Sequence, residues 1–310
     1  MDYFYLILGF VVLLISGDLL VKSGVSLSSH FRVSTLVIGV TVISVGTSAP
    51  ELVVSIGAAL KGHPDIAVGN VIGSNISNIA LVLGVTAIII NIPVNKISVR
   101  FDWPFMMFAS LLFYLFVLTG SLTFIEGLIF VTLLLVFIFW SLRKSRVEMA
   151  QVEHIFEKAR FPVWVSLVLL VISSGGLYFG ATWLVEGAGS IAERFGVSER
   201  VISVTVIAFG TSVPELATSV LAAVKKQLDI SIGNIIGSNI FNIFGILGVT
   251  SIIKPIPVSL EIRYDIYWMF SISVLLLLFM LPYGRASLNR WKGIILLMTY
   301  ITYILLVFIS

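Results

Sequence analysis

The 310-residue sequence contains no cysteine, only three histidines and few charges, with Asp, Glu, Lys and Arg together at 11%. Without cysteine there is no disulfide framework and no thiolate metal site. So low a charge content excludes an ordinary soluble domain, in which about a quarter of residues are charged. The net charge of +3 is too small to point to nucleic acid. No nucleophile–base pair, nucleotide-binding loop or metal-hydrolase spacing is present, which argues against an enzyme. What fills the chain instead is apolar: 58% hydrophobic residues and a mean hydropathy of +1.11.

Apolar runs of about 20 residues, the length that crosses a bilayer as a helix, recur throughout. Ten are expected, over residues 3–21, 35–60, 66–90, 101–119, 123–142, 162–189, 199–224, 230–253, 264–281 and 291–309. The fold class is therefore an all-α polytopic membrane protein. The first run has no basic segment before it, so it reads as a retained helix and not a cleaved signal. Residues 143–161 mix Arg and Lys with Glu148, Glu153 and Glu157 and read as a solvated linker, with a short surface helix as the alternative.

The cations are unevenly distributed between alternate loops. Arg32, Lys96, Arg100, Arg143, Lys144, Arg146, Arg160, Lys225, Lys226, Arg285 and Lys292 fall on the side of the linker. Lys61, Arg194, Arg200, Lys254 and Arg263 fall on the other. The positive-inside rule then places the linker in the cytoplasm and both termini outside.

The chain also repeats itself. Residues 31–94 match residues 195–258 at an offset of 164 without a gap, with more than half of the positions identical. The match reproduces GTSxPEL, then Asp-Ile, then GNxIGSNIxNI at fixed spacing, which chance similarity between apolar helices does not do. Each half, 1–142 and 162–310, then holds five spans. An odd number inverts the second copy, giving inverted repeats whose interrupted helices meet at the midplane. The repeated segments 35–90 and 199–254 are where a binding site is expected.

Within them, two carboxylates sit at membrane depth: Glu51 in GTSAPEL and Glu215 in GTSVPEL. An ionisable group there is costly, and by default it marks function. Ser44, Thr47, Ser48, Glu51 and Ser55 fall along one helix face. Thr211, Ser212, Glu215 and Ser219 repeat that face, with Ala208 in place of Ser44. Pro50 and Pro214 remove a ladder donor and push away the carbonyls of Gly46 and Gly210, so unwinding near Thr47 and Thr211 is expected.

A second wall comes from Asn70, Ser74 and Asn78, and from Asn234, Ser238 and Asn242. Gly69, Gly73, Gly233 and Gly237 beside them allow close helix approach. Ser55 and Ser219 read as packing residues, and Asn75 and Asn239 fall off the shared face and are expected only to bond neighbouring backbone. Asp18 and Lys22 read as an interfacial pair. Glu186 and Glu126 also read as interfacial. His30, His63 and His154 are placed in loops, so the spans offer oxygen donors alone. That shell suits a hard cation such as Ca²⁺, and also Na⁺, better than Zn²⁺ or copper. Two glutamates balance one Ca²⁺, and competition for them is a simple basis for exchange.

GTSAPE and GTSVPE, each followed by GNxIGSN, resemble the two alpha repeats of the sodium/calcium exchangers, a branch of the calcium/cation antiporters. The resemblance implies an antiporter of the cell membrane whose ligands are the transported ions, with no cofactor, no obligate protein partner and the lipid bilayer as its surroundings. It implies that Glu51 and Glu215 hold Ca²⁺ with the backbone carbonyls of Thr47 and Thr211. By the same resemblance Ser48, Ser74, Ser212 and Ser238, with backbone at Ser44 and Ala208, help form sodium sites. Asn78 and Asn242 line the middle of the pocket, and the first and sixth spans slide against the other eight. Asn242 stands where some members, potassium-dependent exchangers and certain prokaryotic ones among them, carry Asp; Asn there resembles the potassium-independent branch, and the resemblance implies electrogenic exchange of three Na⁺ for one Ca²⁺. A proton-coupled or potassium-dependent Ca²⁺ antiporter is the alternative reading. A passive channel or a non-transporting scaffold stands further off.

Overall fold

The computed structural model describes residues 2–151, 159–196, 210–281 and 286–309. Among them the chain is almost entirely helical. The helices are α1 (Asp2–Phe31), α2 (Thr35–Thr47), α3 (Ala49–Leu60), α4 (Pro64–Ile89), α5 (Ser98–Val117), α6 (Phe124–Gln151) and α7 (Val163–Arg194). They continue as α8 (Val213–Val224), α9 (Leu228–Ile253), α10 (Arg263–Met280) and α11 (Arg290–Ile309). Among the described residues eight are long and apolar enough to cross a membrane, and α2 with α3 pass the same test together, bent by 45° at their break. The run expected over 199–224 is described only from Gly210 onward, where α8 forms its second part.

Two helices outrun their expected ends. α1 continues to Phe31 through a serine-rich stretch. The Ser26 hydroxyl donates to the Lys22 carbonyl at 3.0 Å, and Ser28 and Ser29 donate to Val25 at 2.8 and 3.1 Å. Bonded to their own helix, these hydroxyls cost little when buried. His30 is consequently in the last turn of α1 and not in a loop, with its ring nitrogen 2.8 Å from the Phe161 carbonyl oxygen. α6 likewise runs to Gln151, because nothing between Trp140 and Gln151 breaks it. The first part of the expected linker is thus helix, with Lys144 and Glu148 4.0 Å apart one turn from each other.

α4 and α9 are the most buried helices and occupy the centre. α9 approaches α2 closely: a Cβ on Gly237 would lie 2.2 Å from the Val40 carbonyl oxygen, and one on Gly233 2.6 Å from that of Leu36. The positions that correspond to Leu36 and Val40 in the second repeat lie outside the described residues.

Apolar packing divides into two clusters. The larger joins α2, α4, α5, α6, α9 and α10, around Phe113, Phe130, Phe137 and Phe244. The smaller centres on α1 and α7, with Leu13, Leu20, Leu170 and Leu177, and includes residues of α2, α8 and α9 that face them. α1 and α7 meet backbone to backbone: a Cβ on Gly9 would lie 2.5 Å from the Leu184 nitrogen, and one on Gly187 2.6 Å from that of Leu6.

Short strand pairs tie the loops together. β1 (Ile92–Pro93) pairs antiparallel with β4 (Ser287–Leu288), and β2 (Ser121–Leu122) with β3 (Ile256–Pro257). Asp18 forms ion pairs with Lys22 and with Lys225 beyond the end of α8. Asp2 pairs with Arg194 at 2.5 Å. Glu126 accepts from the Thr123 backbone N–H at 2.6 Å and so caps α6.

Candidate cation site

The two GTSxPEL segments fold alike. The helical path is interrupted at Ser48 (φ −91°, ψ 8°) and at Ser212 (φ −94°, ψ 0°), and a new helix starts directly after each. Pro50 and Pro214 stand in the first turn of the new helix, where a missing N–H costs nothing. The break therefore sits one residue beyond Thr47, and Pro50 leaves the Gly46 carbonyl without its helical donor. Glu51 and Glu215 fall in those first turns. There the positive end of the helix dipole favours a carboxylate.

Both carboxylates are buried, Glu51 at 1% exposure and Glu215 at 0%. Ser48 Oγ, from the first repeat, donates to Oε1 of Glu215 in the second at 2.9 Å. Neither oxygen of Glu51, nor Oε2 of Glu215, has a hydrogen-bond partner among the described residues. No Lys, Arg or His described forms an ion pair with either group.

Further neutral oxygens stand on these helices and on the ones packed against them. Ser74 Oγ, Ser212 Oγ, Asn78 Oδ1 and Asn242 Oδ1 are all buried and without a partner among the described residues. Thr47 Oγ1 donates to Asn234 Oδ1 at 3.1 Å and lies 3.5 Å from Ser238 Oγ, joining the two repeats again. Ser44 turns inward on its own helix: its hydroxyl donates to the Val40 carbonyl at 2.7 Å. The Ser44 carbonyl accepts from the Ser48 N–H at 3.0 Å and the Thr47 hydroxyl at 3.2 Å. Thr211 is half-buried in the turn before α8. Ala208 lies outside the described residues.

Residues expected only to pack do more. Asn70 Nδ2 donates to Ser55 Oγ at 3.0 Å and to the Glu51 carbonyl at 3.3 Å. Asn234 Nδ2 donates to Ser219 Oγ at 3.1 Å. Each asparagine so braces the helix that carries its glutamate. Asn75 and Asn239 do bond backbone, as expected, but across the molecule: each donates to the other's carbonyl at 3.3 Å. Both fall at equivalent positions of the repeat, which is the one signal in the sequence that could have paired them.

Among the described residues no cluster of three or more His, Cys, Asp or Glu exists. The centre is instead two carboxylates in a shell of neutral oxygens, a donor set for hard cations. Such a site, buried within a bundle of membrane-spanning helices, defines a membrane ion transporter. A family model described as sodium/calcium exchanger protein matches residues 1–143 and 165–309. CaxA of Alkalimonas amylolytica is 39% identical over 99% of this chain and 98% of its own length. The sodium/calcium exchanger MaX1 of Methanosarcina acetivorans is 30% identical over 99% and 98%. The solved structure of the sodium-calcium exchanger NCX_Mj superposes with a TM-score of 0.82 at 34% identity, covering 99% of this chain and 98% of that one. The chain belongs to the sodium/calcium exchanger family, a family of cation/Ca²⁺ antiporters and not of enzymes.

Proposed function

We propose that this chain exchanges Na⁺ for Ca²⁺ across the plasma membrane by alternating access, moving three Na⁺ for each Ca²⁺ and hence one net charge. The observation that carries the reading is the buried carboxylate pair: among the described residues, three of its four oxygens lack a partner and no cationic side chain pairs with them. Burying such charge without compensation costs several kcal/mol. A bound cation removes that cost. Ca²⁺ is held by Glu51 and Glu215 with the backbone carbonyls of Thr47 and Thr211. Na⁺ uses the same carboxylates with Ser44, Ser48, Ser74, Asn78, Ala208, Thr211, Ser212, Ser238 and Asn242. Three Na⁺ leave the pair at +1 and one Ca²⁺ leaves it neutral, while an empty site at −2 resists closure and so suppresses leak.

The architecture we assign is ten spans in two inverted repeats, 1–142 and 162–310, joined by 143–161, with both termini outside. The pairings β1·β4, β2·β3 and Asp2–Arg194 support it, since each joins segments that alternating crossings put on one side. The separate apolar cluster around α1 and α7 supports a sliding pair that moves as one body.

Full-length Glu51→Gln and Glu215→Gln, each reconstituted in proteoliposomes, test the reading. Both are expected to lose Na⁺-driven Ca²⁺ uptake by at least about 100-fold, as removal of a charged ligand requires. Near-normal exchange in either variant overturns it.

A further inference from the structure

The middle of the pocket holds two asparagines, Asn78 and Asn242, whose amides could face the cation with either end. Oxygen toward the ion attracts it; an NH₂ group repels it and would donate to the carboxylates instead. The difference is a half-turn of one side-chain torsion, so something must set it.

The setting is readable from four bonds around Asn75 and Asn239. Asn75 Nδ2 donates to the Asn239 backbone carbonyl, and Asn239 Nδ2 to that of Asn75, both at 3.3 Å. A backbone carbonyl only accepts, so these contacts fix which end of each amide is nitrogen. The same nitrogens rest on thioether sulfurs, Asn75 on Met269 at 3.7 Å and Asn239 on Met106 at 3.6 Å. The oxygens of Asn75 and Asn239 are thereby turned the other way. Asn75 Oδ1 accepts from Asn242 Nδ2 at 3.1 Å, and Asn239 Oδ1 from Asn78 Nδ2 at 3.1 Å.

With their nitrogens engaged by the opposite repeat, Asn78 and Asn242 have Oδ1 left over, and both of those oxygens are buried without a partner among the described residues. The turn beginning at Asn242 packs against α3, which carries Glu51, and the turn beginning at Asn78 packs against α8, which carries Glu215. All four asparagines are buried, at 1–2% exposure or less.

We propose that Asn75 and Asn239 are positioning residues that lock the amides of Asn242 and Asn78 with oxygen toward the transported cation. Neither touches the ion. Each acts through the asparagine of the opposite repeat, so a single interlocked unit sets both sides of the pocket. The inference rests on the cation site assigned above.

The test uses a substitution that makes orientation irrelevant. Asn75→Leu removes the acceptor for Asn242 and lets that amide turn its NH₂ group to the carboxylates. The apparent affinity for Ca²⁺, measured with the full chain in proteoliposomes, is expected to fall at least about 10-fold, the loss of one bond to a charged centre. Adding Asn242→Asp supplies a carboxylate whose two ends are both oxygen. Asn75→Leu/Asn242→Asp is therefore expected to match Asn242→Asp alone. A purely structural role for Asn75 would leave the double variant as impaired as Asn75→Leu.

Where the leucine variant gives no monodisperse protein in detergent, Asn75→Ala takes its place with the same readings. The mirror pair, Asn239→Leu with Asn78→Asp, gives a second comparison. Unchanged affinity in Asn75→Leu, or no rescue by Asn242→Asp, overturns the proposal. If Glu51→Gln meanwhile abolishes Ca²⁺ binding, the site stands and only the lock falls. If Glu51→Gln binds Ca²⁺ normally, the site itself falls.

Discussion

Ser48 makes the two glutamates unequal. Its hydroxyl donates to Glu215, while both oxygens of Glu51 are left without a partner among the described residues. A bond to a charged acceptor contributes about 1.5–3 kcal/mol. Ser48→Ala is accordingly expected to weaken apparent Na⁺ affinity about 10-fold or more in exchange assays, and Ser48→Thr, which keeps the hydroxyl, to retain most of it. Equal behaviour of the two variants would remove Ser48 from the site. At this scale the sequence was most informative where chemistry was out of place. Glu51 and Glu215 stood out because carboxylates in apolar helices are rare and these are duplicated. Asn75 and Asn239 did not, because a helical-face argument places side chains relative to their own helix and is blind to a partner 164 residues away. Ser55 and Ser219 were hidden similarly, since the amides that reach them come from α4 and α9.

Helices were legible where apolar runs end in charged or proline-rich turns, and less so where polar residues continue the helix. The serines after Lys22 looked like a loop, yet Ser26 and Ser28 donate to the Lys22 and Val25 carbonyls about one turn back, and α1 continues to Phe31. Wide π-type turns begin at Asn78 and Asn242, running to Leu83 and Leu247. Such turns shift the register of the residues beyond them and often occur at functional positions. A strict 3.6-residue period cannot foresee that shift. The α1–α7 contact yields an expectation at this scale. Gly9→Val would drive a side chain into the Leu184 nitrogen and the Gly180 carbonyl oxygen, 2.5 and 2.6 Å from an added Cβ. Overpacking of this kind costs about 1–3 kcal/mol. Thermal unfolding in detergent should therefore show a lower midpoint than for the parent chain, with transport slowed. An unchanged midpoint would mean that the two helices are not in backbone contact.

The molecule as a whole is two apolar bodies around one polar centre. The helical membrane class followed from the recurring apolar runs, and the inverted-repeat plan we assign rests on the offset match and the odd span count. How the halves interlock did not follow, since β1·β4 and β2·β3 join loops distant in sequence by backbone bonds alone. Orientation can be checked directly because the chain has no cysteine. Cysteine introduced at exposed Lys61 is expected to react with a membrane-impermeant maleimide added outside intact cells, and one at exposed Lys226 only after lysis. The reverse pattern would invert the assigned topology. The central claim is that one buried carboxylate pair serves Na⁺ and Ca²⁺ in turn, and radiocalcium uptake into proteoliposomes under controlled gradients tests it most directly. An outward Na⁺ gradient should drive uptake without K⁺ or a pH gradient, and an inside-positive potential should speed it, because one net positive charge leaves the vesicle for each Ca²⁺ that enters. Uptake driven by a pH gradient in the absence of Na⁺, or calcium flux indifferent to Na⁺ on the far side, would contradict the account.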